Sequence, residues 1–171
     1  MFENFFGSKK YNTEDLLKEL LHKHFDEEKI ERIYNSGLDL NWKNKNGEAY
    51  IHLCAKQNMP SSVQWLIKKG INPDLKTQNG NTALFYAVQN GSFEVLDVLI
   101  NKNADHNILN NNKRSVLQEA ILNNQYKIVK YLLKYVDDIN NIDLNKNTIL
   151  FDHRCHEFVL YSLHHDLSRD T

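Results

Sequence analysis

A group of histidine, cysteine and aspartate residues near the C-terminus has the residue types that bind metal ions. These residues are Asp152, His153, Cys155, His156, His164, His165 and Asp166. Zinc takes four such ligands in a tetrahedral arrangement. His153 and His156 are three residues apart, however, and the adjacent His164 and His165 would point to different faces of a helix. The spacing matches no strong zinc pattern, so we interpret the group as a polar, solvated face and predict no metal site.

Catalytic motifs are absent from the rest of the sequence. It contains no phosphate-binding loop, no nucleophile elbow and no zinc-protease helix. Convergent titratable groups are also missing, since Glu48 and Glu119 are isolated from other acids. We therefore predict that the protein is not an enzyme and needs no cofactor.

Composition and charge describe an ordinary globular protein. The 171 residues are 41% hydrophobic and 25% charged, with a net charge of -1. This balance favours neither nucleic acid nor an anionic membrane as a partner. No apolar run approaches the roughly 20 residues of a membrane span, and the N-terminal lysines follow the short apolar patch, the reverse of a secretory signal. We predict a cytoplasmic protein.

The two cysteines, Cys54 and Cys155, are far apart in the sequence. They form neither a CxxC metal knuckle nor a disulfide framework. We expect both to be reduced thiols, and we expect Cys54 to lie in the core.

A period of 33 residues organises the chain. The segments "NGEAYIHLCAKQN", "NGNTALFYAVQNG" and "NKRSVLQEAILNN" begin at positions 46, 79 and 112. Each is followed by a second apolar segment, and in the central one the apolar residues have helical spacing: Val95, Leu96, Val98, Leu99 and Ile100. Each period is therefore predicted to hold two short helices.

The Asn-Gly pairs mark turns between these helices. In isolation an Asn-Gly pair predicts a tight hairpin. Within the period, however, the pair at Asn79 precedes a helix, with Thr82 placed to cap it. The pair at Asn90 ends the same helix and reverses the chain.

With this period the chain resembles the ankyrin-repeat family, whose unit is a projecting turn followed by two antiparallel helices. The central repeat reads "GNTALFYA" from Gly80 where the family has G-x-T-P-L-H-x-A, and "NADHN" from Asn103 where the family has G-A-D-x-N. His52 occupies the histidine position in the first repeat, which implies that it bridges turns by hydrogen bonds. Lys113 departs from the pattern because it replaces the turn glycine.

The resemblance implies an all-α solenoid of paired antiparallel helices with projecting turns and a capping repeat at each end. We expect one domain over residues 1–171. Its predicted parts are an N-terminal extension at 1–12, an N-terminal capping repeat at 13–41, full repeats at 42–74, 75–107 and 108–140, and a degenerate C-terminal cap at 141–171.

The candidate binding residues lie where the sequence varies between repeats while the frame stays fixed. In a solenoid, the turn tips and the first helices form a continuous concave surface. The candidates there are Trp42, Lys43, Lys45, Leu53, Lys56, Lys76, Gln78, Tyr86, Gln89, Leu109, Asn111, Arg114, Glu119, Leu122 and Asn123.

Trp42 and Tyr86 are the predicted anchors within this set, surrounded by basic residues that favour a partner with an acidic patch. We expect Tyr86 to face outward, so that its loss leaves the fold intact. For Trp42 a second interpretation stays open, in which it is half-buried in its turn and packs on a neighbour.

These features predict a protein that binds another protein and is a monomer when free. The array has its own Met, both caps and no attached effector domain, so we expect binding to be its activity, with blockage of a partner as the simplest form. It resembles small bacterial immunity or inhibitor proteins that neutralise a toxin. The alternatives are a scaffold or regulatory adaptor and, less favoured, a nucleic-acid binder or a metal-binding protein.

Overall fold

The computed structural model describes residues 11–135, which form helix pairs. The helices are α1 (Thr13–Leu20), α2 (Glu27–Tyr34), α3 (Tyr50–Lys56), α4 (Pro60–Lys68), α5 (Ala83–Gln89), α6 (Phe93–Asn101), α7 (Val116–Leu122) and α8 (Tyr126–Leu132). A 3-10 turn, Leu133–Tyr135, follows α8. The only β pairing in this range is an isolated bridge between Lys43 and Ala49. The prediction of an all-α solenoid of paired helices is confirmed.

The pairs stack in two rows. The inner row contains α3, α5 and α7, in which each helix packs against the next, and the outer row places α4 against α6. In α6 the residues Val95, Leu96, Leu99 and Ile100 are buried, whereas Glu94 is exposed. Because these buried positions share one face of the helix, the helical stripe predicted from the sequence holds the stack together.

Helix α5 lacks the cap that the sequence predicted. Thr82 is its N-cap residue, but its hydroxyl receives no hydrogen bond from the helix and is buried without a partner. In α7, by contrast, Ser115 and Gln118 form a reciprocal capping box. Phe85 stands where Gln118 stands in α7, and its ring has no group that could accept the N-cap N–H.

Within residues 11–135, nine residues have positive φ, and they fall into three sets spaced by 33. The sets are Gly37, Gly70 and Asn103; Gly47, Gly80 and Lys113; and Asn58, Gly91 and Asn124. Glycine and asparagine tolerate this left-handed conformation. The predicted turn positions are thus repeated as backbone geometry, and Lys113 adopts a φ of 60° without the freedom of glycine.

Cys54 is fully buried, as expected. No helix among residues 11–135 is long and apolar enough to cross a membrane. The predicted C-terminal cap at 141–171, with Cys155 and the group of metal-ligand residues, lies outside the described residues, as does the extension before residue 11.

Candidate interaction surface

Three projecting turns, here called fingers, precede the inner helices at residues 43–49, 76–82 and 109–115. Each finger is closed by the same backbone hydrogen bond, at 3.0 Å in all three. Donor and acceptor residues are Asn44 and Glu48, Thr77 and Asn81, and Asn110 and Arg114. We call the side formed by the fingers and the exposed parts of α3, α5 and α7 the inner face; it corresponds to the predicted concave surface.

The fingers are joined to one another by backbone hydrogen bonds. The N–H of Gln78 donates to the carbonyl of Asn46, and the N–H of Asn111 donates to the carbonyl of Asn79, each at 3.1 Å. Gly80 permits this approach, since a Cβ there would collide with the side-chain oxygen and the backbone nitrogen of Asn111. The tips therefore form one connected row.

Two of the candidate residues use their side-chain amides inside this row. The Gln78 amide donates to the Lys45 carbonyl at 2.9 Å, and the Asn111 amide donates to the Gln78 carbonyl at 2.8 Å. Both side chains stay exposed. They hold adjacent fingers together. The sequence did not predict this role, although Gln78 and Asn111 are one period of 33 residues apart.

His52 bridges two repeats, as the resemblance implied. Its Nδ1 accepts the N–H of Ala49 at 2.9 Å, and its Nε2 lies 2.8 Å from the Leu75 carbonyl. This pattern requires the neutral ring with the proton on Nε2. The side chain is fully buried, and burial lowers its pKa. His52 thus has a structural role.

The prediction that Tyr86 faces outward is wrong. Its side chain is only 9% exposed. The ring packs edge-on against His52 with centroids 5.8 Å apart, and its hydroxyl hydrogen-bonds with Thr77 and Glu48. Burial raises the pKa of this hydroxyl. Tyr86 joins two repeats because a finger side chain of the preceding repeat reaches over it, which periodicity within one repeat cannot reveal.

Trp42 is half-buried, as the second interpretation holds. The ring contact found for it is with Tyr50 in the following helix of its own repeat, at 5.2 Å between centroids. Part of its surface is covered by its own repeat, so truncation would affect the packing around Tyr50.

The remaining candidates differ in accessibility. The exposed ones are Lys43, Lys45, Lys56, Lys76, Gln89, Arg114, Leu122 and Asn123. Leu53 and Leu109 are half-buried, and Glu119 is buried. Leu122, at 50%, is a large hydrophobic residue with unusual exposure on this face. The inner face therefore combines exposed cations and amides with a small apolar component.

A buried carboxylate lies beneath the surface of the first repeat. Glu48 accepts a hydrogen bond from the Asn44 amide at 2.7 Å, and Lys56 Nζ lies 3.8 Å from its other oxygen. Burial alone would raise the pKa of Glu48. The hydrogen bonds from Asn44 and Tyr86, together with the charge of Lys56, lower it. Glu48 is therefore held as an anion.

A second buried carboxylate, Glu119, lies in the third repeat. Its Oε1 accepts from the Gln89 amide at 3.0 Å and from the Asn123 amide at 3.4 Å. Its Oε2 is buried without a hydrogen bond and lies 3.7 Å from an Arg114 nitrogen. Gln89 and Glu119 therefore connect adjacent repeats.

The finger lysines carry the exposed charge of the tips. None of the ion pairs found within residues 11–135 includes Lys43, Lys45, Lys76 or Lys113. Lys76 donates to the Leu109 carbonyl at 3.3 Å, which leaves its charge uncompensated. The row of tips is thus a positively charged edge beside the inner helices.

Across residues 11–135 no group of three or more His, Cys, Asp and Glu side chains could hold a metal ion. The histidine-rich C-terminal group lies beyond this range, so the prediction of no metal site there stays a prediction.

Comparison with known proteins gives one family match. A family model described as ankyrin repeats (3 copies) matches residues 8–110 and 51–148. A search of curated proteins finds no significant match. The family match covers the eight helices found among the described residues and both rows of the stack.

Proposed function

The chain belongs to the ankyrin-repeat family, and from this premise we propose that it binds another protein through its inner face and thereby blocks that protein's surface. Ankyrin repeats support protein–protein interaction, and the family is typically non-enzymatic. One observation carries the proposal: the side chains of the fingers change from repeat to repeat, whereas the backbone geometry of the fingers stays the same. One finger position, for example, is Lys43, Lys76 and then Leu109.

The partner that fits this face has an acidic patch with an apolar centre. Lys43, Lys45 and Lys76 supply positive charge that steers an acidic protein toward the tips. Leu122 and the half-buried Leu53 supply apolar contact area inside this polar rim. Trp42 adds aromatic surface where its ring remains accessible.

Neutralisation of a partner such as a toxin is the specific form of this function that we propose, with the protein acting as a cytoplasmic monomer. Occupying a surface requires no chemistry from the binding protein, in keeping with an inner face built from amides, lysines and leucines. A scaffold or adaptor is the alternative, and it would require a second binding surface.

Affinity capture from the native source, followed by mass spectrometry at low and high salt, tests the proposed function. We expect one protein recovered in stoichiometric amount. Recovery of nucleic acid that is lost at high salt would instead favour the nucleic-acid alternative, because phosphate contacts weaken steeply with salt.

Leu122→Ala then tests the face. As a contact residue with half of its side chain exposed, Leu122 should weaken the complex by about 2 kcal/mol when truncated. Glu94→Ala, on the exposed side of α6, is the matched control. Unchanged affinity in a folded Leu122→Ala protein would place the partner elsewhere.

A further inference from the structure

Resting on the proposed function, we propose that Lys56 and Arg114 are two preorganised receptors for carboxylates of the partner, each positioned from beneath by a buried glutamate. Glu48 positions Lys56, and Glu119 positions Arg114. These two cations determine which acidic segment binds, whereas the finger lysines accelerate its approach.

The two cations share an unusual setting. The side chains of Lys56 and Arg114 are 47% and 48% exposed, whereas those of Glu48 and Glu119 are 7% and 11% exposed. Lys56 Nζ also lies 5.9 Å from the centre of the Tyr86 ring. Each cation is therefore held between a buried negative charge and the solvent.

Their distances to the glutamates leave their donors available. The other ion pairs of residues 11–135 are direct contacts at 2.7 to 3.0 Å, made by Lys29, Lys68 and Lys69. Lys56 and Arg114 stand at 3.8 and 3.7 Å, beyond the hydrogen-bonding range of about 2.7 to 3.2 Å. Each glutamate thus attracts its cation, while the N–H groups of the cation can donate to another acceptor.

The glutamates stay in place without direct hydrogen bonds from the cations. The Asn44 amide and the Tyr86 hydroxyl hold Glu48. The amides of Gln89 and Asn123 hold Glu119. A cation that turns toward a partner carboxylate therefore leaves its glutamate anchored by neutral donors.

Preorganisation is the physical advantage of this arrangement. A free surface lysine loses side-chain entropy when a partner immobilises it. A cation already confined above a fixed carboxylate loses less side-chain entropy. A larger share of the free energy of its charge-assisted hydrogen bond therefore contributes to binding. Lys43 and Lys45 lack such a counter-ion among residues 11–135, so they act mainly on the association rate.

The spacing of the two receptors defines the segment. The second repeat has Asn81 and Gln89 where the first has Glu48 and Lys56, so it carries no receptor of this kind. The receptors lie two repeats apart, on the order of 20 Å for adjacent helices about 8 to 10 Å apart. About six residues of extended chain cover this distance. The partner is therefore an acidic protein segment whose two carboxylates are separated by that length.

A synthetic peptide tests this proposal on the full chain. The probe is an uncharged serine–glycine peptide with two glutamates six residues apart, and its control carries the two glutamates side by side. Binding is measured by NMR titration, with thermal melting of every variant as the test of folding. We expect the spaced peptide to bind more tightly, and Lys56→Gln or Arg114→Gln to weaken it roughly tenfold.

Glu48→Gln and Glu119→Gln separate preorganisation from simple attraction. Both make the protein more positive and keep an oxygen that can accept the hydrogen bonds of the glutamate. If the cations act by simple attraction, both variants should bind the acidic peptide more tightly than the unchanged protein. If the glutamates position the cations, both variants should bind it more weakly, and this is the result we expect. Lys102→Gln, at the end of α6, should change nothing, and Lys56→Arg should retain most of the affinity.

Tighter binding by the two Glu→Gln variants would overturn the proposal, as would equal affinity for both peptides or no binding of the spaced peptide at millimolar concentration. None of these results bears on affinity capture. If capture still recovers one stoichiometric protein, the proposed function stands and the receptors are wrong.

Discussion

His52 illustrates how one residue joins two repeats. Its two nitrogens satisfy the N–H of Ala49 in its own repeat and the carbonyl of Leu75, which immediately precedes the next finger. Desolvation lowers the pKa of His52 from the ordinary value of 6.5, and the positive charge of Lys43 lowers it further. The two backbone hydrogen bonds and the negative charge of Glu48 act in the opposite direction. The folded protein therefore resists protonation of this ring.

We expect the free energy of unfolding to fall as the pH drops below about 6.5, because the unfolded chain then binds a proton that the folded chain excludes. The sign follows from the lowered pKa of His52. The contribution of this residue to the free energy of unfolding is fully present above pH 6.5, the ordinary pKa of the ring, and is lost as the pH falls. Urea unfolding between pH 5 and 8 measures the effect. His52→Gln should reduce the slope, since glutamine, as at Gln118, accepts the N-cap N–H without titrating. Identical slopes in the two proteins would contradict the assignment.

Gly80→Ala is predicted to cost about 2 kcal/mol or more in the free energy of unfolding. The substitution places a methyl group 2.8 Å from the backbone nitrogen of Asn111, at a φ of 74° that alanine disfavours. Gly37→Ala is the matched control, because its positive φ causes strain but nothing lies within 4 Å of its Cβ. Chemical denaturation of both variants compares the two costs. Equal costs would show that the fingers do not approach as closely as described.

At the scale of elements, each outer helix is stabilised by its buried stripe. Helix α6 packs against α4 in the outer row and against α5 in its own pair. At the junction with α8, the Tyr131 hydroxyl donates to Asp97 at 2.7 Å, and Phe93 packs edge-on against Tyr131. Burial is the first cause of the raised pKa of Tyr131. This junction therefore combines apolar packing with a hydrogen bond between repeats.

Leu99→Ala should destabilise the protein by about 2 to 5 kcal/mol, because it removes a fully buried side chain from the centre of α6. Equilibrium denaturation gives this value directly. Glu94→Ala, on the exposed side of the same helix, should stay within about 0.5 kcal/mol. A loss below that limit for Leu99→Ala would mean that the helix packs differently.

At the scale of the whole molecule, the interfaces between repeats should couple the array into a single folding unit. We expect one thermal transition with coincident far-UV and tyrosine signals, because so few repeats depend on their neighbours for stability. Circular dichroism before melting should be that of a helical protein. Two separated transitions would show that the interfaces between repeats are weaker than their hydrogen bonds indicate.

The sequence by itself determined the repeat and its local geometry. Helix pairs, turn positions and the burial of Cys54 followed from apolar spacing and from residues such as Gly80, because these signals act within about one turn or one helix. The structural role of His52 was recoverable because one family motif places that residue. The hydroxyl cap expected from Thr82 was not formed; the N–H of Phe85 donates to the Thr82 backbone carbonyl instead.

The tertiary structure alone decided which surface residues are accessible. Tyr86 is buried with its ring against His52, 34 residues earlier, and Gln89 meets Glu119 at a separation of 30 residues. Periodicity reports the face of a helix on which a residue lies, but whether the adjacent repeat covers that face depends on side chains about one period away. The accessibility of the proposed binding residues on the inner face is set by such contacts, which exist only after the repeats have stacked.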